Sequence, residues 1–383
     1  MNIRPLKLFD ESFGNQWHDE VEGRWLYEDF KANARWRKHW ISFDCAAYNP
    51  ADDRVYLGIT SFDADIFKAY DRKSGQFVDL GYSRIADPFD AKFHRALELG
   101  DDGCLYAAVA LLHDCDRYNE APGGAIIKYD PRNGDITKVA TPLPHVYIQS
   151  IALDWGRRMI YCMCFAPEKL AGFNLRTGEV IDYGLFGTGI GGMAQGENLC
   201  LDDRGRAWCG WQLTRAWQSA PSADGHRLCC IDPDLGRILF FQNGLPRPDG
   251  GYGTVKVEGL FNLGDGHLHA SGGNGSIYRI NIETGTSQYL FTPITDRRSR
   301  LTSLALGPDG CAYGVTGRDG HCQLLRFDFN NNRYDLLGRV GEAGGEGCFQ
   351  VHHVVFAADG TLYACENDVP HRSAYLWEIT DIF

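Results

Sequence analysis

The sequence lacks any apolar run long enough to cross a membrane, and its first residues lack the uninterrupted apolar stretch of a signal peptide. We therefore expect no membrane association and a cytoplasmic location. Basic residues are also in deficit, because 38 Lys and Arg face 50 Asp and Glu, for a formal net charge of -12. This charge repels a phosphate backbone, so nucleic acid is not an expected partner.

Motifs for several kinds of cofactor chemistry are missing as well. The chain has 13 cysteines, an odd number, and no paired CxxC motifs, which argues against both a disulfide framework and a structural zinc cluster. The segment GTGIGG at 187–192 fits GxGxxG, but no amphipathic helix follows it. A dinucleotide site needs that helix, so we predict no nucleotide cofactor. A GxSxG nucleophile motif is absent too.

What the sequence does contain is one unit repeated seven times, about every fifty residues. Each copy has an apolar strand, an Asp- and Gly-rich turn, and a second strand with an aromatic residue near its start. The copies read PADDRVY, GDDGCLY, WGRRMIY, DRGRAW, GDGHLH, PDGCAY and ADGTLY, ending at Tyr56, Tyr106, Tyr161, Trp208, His269, Tyr313 and Tyr363. A third strand and another turn follow, as in YDRKSG, YDPRNG and FNLRTG.

These repeats predict an all-β fold, a seven-bladed β-propeller of four-stranded antiparallel blades forming one domain over residues 1–383. The last copy ends at its third strand, close to Phe383. The apolar segment from Ile3 to Phe9 is therefore expected to supply the fourth strand and to close the ring. Residues 20–38 are predicted to form a short helical or irregular insertion before blade 1.

In such a fold, the loops before the innermost strands and after the second strands share one face, where propellers usually carry their sites. His94 is expected there as a functional residue, since a large imidazole has little packing purpose at that position. His145 fits a solvated turn equally well, and Arg215 a surface arginine. Further candidates for binding substrate at this face are Lys92, His113, Gln149, Trp211, Trp217, Tyr252, Arg300 and Arg372.

A metal site is a further expectation near the C-terminus. Gln350, Glu366 and either His352 or His353 could supply nitrogen and oxygen ligands to one divalent ion, whether calcium, manganese or zinc. Adjacent strand residues point to opposite sides, so at most one of the two histidines shares a site with Gln350. The other is expected to pack between blades.

Three segments give the chain a resemblance to the seven-bladed propeller polysaccharide lyases, which include oligogalacturonate lyase and the lyases that cleave rhamnose from glucuronate. They are KFHRALELGDDGCLY, APGGAIIKYDPRNG and FQVHHVVFAADGTLYACENDVPHRSAYLWEI. The resemblance implies a carbon–oxygen lyase that acts on an acidic oligosaccharide, with release of rhamnose from glucuronate as one option. It also implies a metal held by a Gln and several His, for which Gln350 and His352 or His353 are the matching residues.

β-Elimination at a uronate needs its carboxylate neutralised, a base for the C5 proton and an acid for the leaving oxygen. Arginine suits the first role, since its planar fork pairs with a carboxylate and keeps its charge. Histidine suits the others, because its pKa lies near neutrality. We therefore predict Arg215 as neutraliser, His94 as base, and His145 or Tyr147 as acid.

Two other functions stay open at this stage. A metal-dependent hydrolase such as a lactonase would hold calcium with carboxylates, for which Glu197, Glu258 and Asp44 are available. A non-catalytic propeller would bind a protein on its face and should show large exposed apolar patches. The protein is expected to be a monomer or a small homo-oligomer.

Overall fold

Alternating apolar residues between Asp- and Gly-rich turns fold into seven four-stranded antiparallel sheets. They are seen in a computed structural model that describes residues 1–14, 26–63, 65–186, 196–212, 225–295 and 299–383. The segment GTGIGG lies outside these ranges. The predicted all-β, seven-bladed propeller is confirmed.

Blades 1 to 3 each run from an inner to an outer strand in chain order. Their strands are β2 Ile41–Asn49, β3 Arg54–Ser61, β4 Phe67–Asp71 and β5 Gln76–Asp79 in blade 1; β6 Leu97–Leu99, β7 Leu105–Ala108, β8 Ile126–Asp130 and β9 Asp135–Ala140 in blade 2; and β10 Tyr147–Asp154, β11 Met159–Phe165, β12 Lys169–Asn174 and β13 Val180–Leu185 in blade 3.

Blades 4 to 6 repeat this order, with a small two-stranded sheet between blades 4 and 5. Their strands are β14 Cys200–Leu201, β15 Ala207–Gln212, β16 His226–Asp232 and β17 Arg237–Phe240 in blade 4; β18 Leu245–Pro246 and β19 Thr254–Val255 in the small sheet; β20 Val257–Asn262, β21 Leu268–Gly272, β22 Ile277–Ile280 and β23 Ser287–Phe291 in blade 5; and β24 Ala305–Leu306, β25 Ala312–Thr316, β26 Gln323–Asp328 and β27 Arg333–Arg339 in blade 6.

Blade 7 joins the two ends of the chain. Its strands are β28 Val351–Phe356, β29 Leu362–Glu366 and β30 Leu376–Thr380, with the N-terminal strand β1 Asn2–Leu6 on the outside. β1 pairs with β30 from Asn2 opposite Thr380 to Leu6 opposite Leu376. The predicted closure by the N-terminal segment is therefore confirmed, and the strand is shorter than the expected Ile3 to Phe9.

Two short helices, α1 Tyr27–Ala32 and α2 Ala34–His39, precede blade 1 within the predicted insertion. Asn33 caps α2 by accepting hydrogen bonds from the backbone N–H groups of Arg35 and Trp36. Residues 15–25 of this region lie outside the described ranges. None of the helices in the described residues has the length and apolar character needed to span a membrane.

In five of the seven blades the repeated aromatic residue ties the second strand to the turn before it. The hydroxyl groups of Tyr106 and Tyr313 donate to Asp102 and Asp309, at 3.0 and 2.9 Å. The ring nitrogens of Trp208 and His269 reach Asp202 and Asp265 in the same way, at 2.8 and 2.9 Å. This shared contact explains why an Asp-containing turn and a polar-tipped aromatic recur together in the sequence.

The inner strands share an interruption of register that shapes the centre of the ring. An extra residue bulges from four of them, at Asp44, Gln149, Glu258 and His352. Counting from the aromatic residue of the second strand places Arg95, Glu197 and Thr302 at the matching positions of blades 2, 4 and 6. We call these seven buried polar residues the axial ring.

Candidate functional site

Two histidines, His352 of the axial ring and the neighbouring His94, face each other with their tautomers fixed. His94 Nδ1 lies 3.0 Å from the carbonyl oxygen of Gln149, and His352 Nδ1 lies 2.8 Å from that of Asp44. A carbonyl only accepts, so each Nδ1 carries the hydrogen and each Nε2 keeps a lone pair. The ring centroids are 4.6 Å apart. The Nε2 lone pair of His94 is therefore free to take a proton or to bind a metal ion, whereas that of His352 accepts a hydrogen bond from Arg95 Nε at 3.4 Å.

Burial keeps both imidazoles neutral. The side chains of His94 and His352 are 7% and 2% exposed. Burial, reinforced by Lys92 for His94 and by Arg95 for His352, holds the pKa of each well below its usual value. Glu197 acts in the other direction on His94, with its Oε2 3.8 Å from His94 Nε2. His94 has its carboxylate beside Nε2, the nitrogen that would take a proton, whereas Asp44 lies 3.7 Å from Nδ1 of His352, which already carries a hydrogen.

Glu197 is itself held between two cations. Lys256 Nζ lies 2.9 Å from its Oε1, and Arg300 Nη2 lies 3.6 Å from its Oε2. Burial alone would raise the pKa of Glu197, but Lys256 and Arg300 outweigh burial and hold it below the usual range. Arg300 also pairs with Glu258. Side-chain exposures of 36% for Lys256 and 31% for Arg300 leave both cations accessible to a ligand.

Asp44 and Lys92 complete the site on the side of blades 1 and 2. Asp44 accepts a hydrogen bond from the hydroxyl of Thr60, and Lys92 Nζ lies 3.9 Å from its carboxylate. Burial raises the pKa of Asp44 to about 7, although Lys92 opposes this shift. We call the axial ring together with Lys92, His94, Lys256 and Arg300 the axial site. It holds four cations and three carboxylates close to two neutral imidazoles.

Five of the residues predicted from the sequence meet in this site: Lys92, His94, Gln149, Arg300 and His352. They come from blades 2, 3, 6 and 7 of the ring. Asp44, Glu197 and Glu258, considered above as calcium ligands, lie here as well. In this structure each of these carboxylates already has Lys92, Lys256 or Arg300 within 4 Å.

His113, His145 and Tyr147 form a separate group at the entrance to blade 3. Tyr147 is fully buried with its ring 5.2 Å from that of His113, and burial raises the pKa of the Tyr147 hydroxyl. His145 is exposed, has a φ of 64° and contacts the carbonyl of Ala121 through Nδ1 at 2.8 Å. No hydrogen bond found among the described residues joins this group to His94. The acid role predicted for His145 or Tyr147 has no geometric support here.

Two of the predicted aromatic contributions, Trp211 and Tyr252, lie away from the axial site. Trp211 donates its ring N–H to the carbonyl of Leu228 at 3.3 Å and packs edge-on against Phe240 of the outer strand β17. Tyr252 is 93% exposed on the loop between β18 and β19. Arg215 and Trp217 lie outside the described residues. The role predicted for Arg215 stays a prediction, and among the described residues Arg300 and Lys256 are the cations beside Glu197.

The predicted metal ligands of blade 7 do not converge. Glu366 is fully buried and accepts from the backbone N–H groups of Phe349 and Tyr375, at 2.6 and 2.7 Å, and from Arg372 at 2.8 and 2.9 Å. Its oxygens and Arg372 are therefore committed to a structural ion pair. The side-chain amide of Gln350 donates to Asp368 at 3.2 Å.

His352 and His353 lie in different compartments, as the opposed-side argument predicts. His352 belongs to the axial site, whereas His353 lines a cavity on the opposite side of Arg95 rather than packing between blades. The set Gln350, His352, His353 and Glu366 thus does not fit one metal ion. A different set does approach metal-ligand geometry, because ligand atoms of His94, Glu197 and His352 lie within 4.8 Å of one another.

Sequence reasoning missed Arg95 and underrated Glu197 and Lys256. Arg95 follows His94 directly, and strict alternation would turn one of the two away from the axis. The chain is irregular here, because the N–H groups of Ala108 and Ala110 donate to the carbonyls of Ala96 and Lys92. The four residue steps from Lys92 to Ala96 therefore lie opposite only the two steps from Ala108 to Ala110. This extra length lets the side chains of both His94 and Arg95 reach the axis. The available signal was a polar residue that lies 11 or 12 positions before each repeated aromatic.

Comparisons with known proteins support the fold. No protein-family model matches the chain, and no curated protein is similar in sequence. Virginiamycin B lyase from Staphylococcus aureus shares 14% identity at a TM-score of 0.62 over 88% of this chain and 94% of its own. The WD40 repeats of RRP9 share 13% at 0.58, over 90% and 96%.

A further structure, the extracellular domain of a hybrid two-component system protein from B. thetaiotaomicron, shares 11% identity at a TM-score of 0.60 over 89% of this chain. The match spans only 38% of that protein. At these identities the similarities define the class, a seven-bladed β-propeller. Proteins as different as virginiamycin B lyase and the WD40 repeats of RRP9 share the fold, so the function has to be argued from the axial site.

Proposed function

We propose that the protein is a carbon–oxygen lyase that cleaves a short acidic oligosaccharide at a uronic acid by β-elimination. The observation that carries this proposal is the Nε2 lone pair of His94, held beside the accessible cations Lys256 and Arg300. A base next to a carboxylate-binding pair is the arrangement that removal of a proton from C5 of a uronate requires.

The substrate carboxylate binds at Lys256 and Arg300, which withdraw electron density and make the C5 proton more acidic. His94 Nε2 takes that proton, the C4–O4 bond breaks, and a C4–C5 double bond forms. The imidazolium of His94, stabilised by Glu197, then donates its proton to the leaving O4. One histidine thus serves as base and acid, so the step needs neither His145 nor Tyr147.

His94 suits this role better than His352. Glu197 favours protonation of His94, whereas Arg95 Nε lies 3.4 Å from His352 Nε2 and opposes a positive charge there. A precedent within the fold class supports a histidine-dependent elimination, since a His-to-Ala variant of virginiamycin B lyase is catalytically inactive and has been solved with quinupristin. That variant shares 13% identity with this chain at a TM-score of 0.62, over 98% of each.

One observation favours a second function. His94, Glu197 and His352 offer two imidazole nitrogens and one carboxylate, a ligand set that suits zinc or manganese better than calcium. An ion bound there would supply a Lewis acid for hydrolysis of an ester or lactone. Under this alternative Lys256 and Arg300 would orient the substrate, and the product would lack a double bond.

A substrate screen with three proteins tests the proposal. Oligosaccharides containing glucuronate or galacturonate, including rhamnose-linked ones, are incubated with wild type, His94→Gln and His267→Gln while the ultraviolet absorbance of the unsaturated uronate is followed. We expect product from wild type, a rate about a hundredfold or more lower for His94→Gln, and an unchanged rate for His267→Gln. His267 is the matched control because it lies on the turn between β20 and β21.

Two results would contradict the lyase proposal. One is the absence of an absorbance rise with every uronate tested while a lactone or ester is hydrolysed by the same preparation. The other is full activity of a His94→Gln protein whose circular dichroism matches wild type. The first result would support the hydrolase, and the second would remove His94 from either reaction.

A further inference from the structure

A groove leads outward over blade 5 from the axial site. Its volume is about 920 Å³, near the upper end of the roughly 300–1,000 Å³ that is typical of small-molecule sites. Lys256 and Glu258 of the axial site line it, and so do Tyr289 on the outer strand β23 and Thr292, which follows that strand. We call it the blade 5 groove. Because it shares Lys256 and Glu258 with the axial site, a ligand held at that site has room to extend into the groove.

The charges along the blade 5 groove balance. Its described lining holds two cations, Arg247 and Lys256, and two carboxylates, Asp249 and Glu258. Arg247 Nη2 lies 2.8 Å from Asp249, and Lys256 Nζ lies 3.9 Å from Glu258. Lys256 at the inner end is also the cation that the proposed reaction assigns to the uronate carboxylate. The rest of the groove therefore offers no excess positive charge to a second anion and favours a neutral group.

The wall of the groove combines hydroxyl groups with apolar surface. Thr292 Oγ1 lies 3.2 Å from the hydroxyl of Tyr289 and 3.0 Å from that of Ser276. Each of these hydroxyls both donates and accepts, as the hydroxyls of a sugar do. The exposed wall is otherwise more apolar than polar, and it includes Val255 and the ring of Tyr289, which is 37% exposed. A sugar matches this wall, because it carries hydroxyls at its edge and C–H groups on its faces.

The position of the groove indicates which end of the uronate it receives. His94 belongs to blade 2 and the groove to blade 5, so the two lie on different sides of the axis. Glu197 lies between them, 3.8 Å from His94 Nε2 and 2.9 Å from Lys256 Nζ. In the proposed elimination, O4 of the uronate lies at His94. C1 is opposite C4 in a pyranose ring, so C1 points across the axis toward the groove.

We propose that the blade 5 groove binds a neutral sugar that is linked to C1 of the uronate. The ring of Tyr289 packs against a face of this sugar, and the hydroxyl of Thr292 bonds to its hydroxyls. The substrate is then a uronate followed by a neutral sugar rather than a run of uronates. This inference rests on the proposed lyase, because it takes the orientation of the uronate from that reaction.

Isothermal titration calorimetry with three ligands tests the proposal. They are methyl β-glucuronide, glucuronosyl-β-1,3-glucose and glucuronosyl-β-1,3-glucuronate. O4 is unsubstituted in each of them, so elimination has no glycosidic bond to break and binding is measured alone. Methyl glucuronide reports capture of the carboxylate at the axial site. The other two report what a neutral or an acidic second sugar adds.

We expect the glucose disaccharide to bind wild type roughly fivefold or more tightly than methyl glucuronide. The diuronate should show no such gain. Tyr289→Ala, which removes the ring, and Thr292→Val, which removes a hydroxyl and keeps the shape, should each lose most of the gain and leave the affinity for methyl glucuronide unchanged. Tyr334→Ala is the matched control and should keep the gain, because Tyr334 is also 37% exposed and lies on the outer strand β27 of blade 6.

The possible failures are distinguishable. If methyl glucuronide binds and glucose adds nothing, the groove proposal is overturned and the proposed lyase stands. The groove proposal is also overturned if the diuronate shows the larger gain, if the gain persists in both Tyr289→Ala and Thr292→Val, or if Tyr334→Ala loses it equally. If none of the three ligands binds, capture of the carboxylate itself fails, which contradicts the lyase as well.

Discussion

His226 is a buried histidine whose protonation links stability to pH. It is 4% exposed at the start of β16, and burial, followed by Lys256 and Arg227, lowers its pKa to about 4. An unfolded histidine gains a proton near pH ~6.5. Between these values the unfolded chain therefore binds more protons than the folded one. Stability contributed by neutral His226 is present above this window and is lost as the pH falls through it.

Replacing His226 by Asn should make the chain less sensitive to acid. Relative to wild type, the unfolding free energy of His226→Asn is expected to rise by up to ~1.4 kcal/mol for each pH unit below ~6.5. Urea unfolding from pH 8 to pH 4.5 measures this difference. At pH 8 neither state carries the proton, so the difference there reports packing alone. A difference that stays constant over the whole range would show that His226 titrates alike in both states.

The sequence analysis predicted Glu366 as a metal ligand and Arg372 as a substrate-binding residue. Their buried ion pair leads instead to a prediction about stability. Glu366 is fully buried, and Arg372 is 3% exposed and lies over the ring of Tyr375 at 3.7 Å. Glu366→Gln keeps the shape but leaves the guanidinium with Glu346 as its remaining carboxylate. We expect a loss of about 3 kcal/mol in unfolding free energy, because breaking a buried ion pair strands a charge.

The matched control is Asp130→Asn, which breaks the exposed pair of Asp130 with Arg132 and should change the unfolding free energy little. Both variants are measured by urea unfolding at pH 7. Equal effects in the two variants would contradict the structural role of the Glu366–Arg372 pair.

At the scale of strands and turns, most of the fold was predictable from local patterns. An Asp-containing turn followed by an aromatic residue marks the passage from inner to second strand, and the contact from Tyr106 to Asp102 shows why the two recur together. The bulges at Gln149 and His352 were not predictable in the same way. A bulge depends on pairing with a second strand, and a sequence read as strict alternation assigns the wrong side to every residue beyond it.

Strand β1 is the element that closes the ring. Deletion of residues 2–6 removes the partner of β30 and exposes its backbone N–H and C=O groups along the edge. We expect a lower thermal midpoint and concentration-dependent association, measured by differential scanning calorimetry and size-exclusion chromatography. Arg4→Ala is the control, since it loses only a pair with Glu378 in which Arg4 is 63% exposed. A monomeric deletion variant with the wild-type midpoint would show that closure contributes little.

At the scale of the whole molecule, the axial site is assembled from residues far apart in sequence. Blade topology predicted that His94, Arg300 and one of His352 and His353 share a face. It did not predict which side chains reach the axis, because that depends on bulges and on the loop geometry that turns His145 outward. The separation of His353 from His352 likewise follows from Arg95, which crosses the axis to the carbonyl of Thr302 and divides the channel.

A metal titration distinguishes the two functions proposed for this site. His94, Glu197 and His352 belong to blades 2, 4 and 7, so an ion bound to all three would hold distant blades together and raise the thermal midpoint by mass action. The hydrolase alternative predicts a midpoint that rises with zinc or manganese concentration in wild type and in His353→Asn, and not in Glu197→Gln or His352→Gln. Calcium should have no effect, because it prefers six to eight oxygen ligands.

The lyase proposed here needs no ion, since Lys256 and Arg300 already supply the positive charge that the substrate carboxylate requires. It predicts an unchanged midpoint in all four proteins, together with elimination activity that persists after dialysis against a chelator.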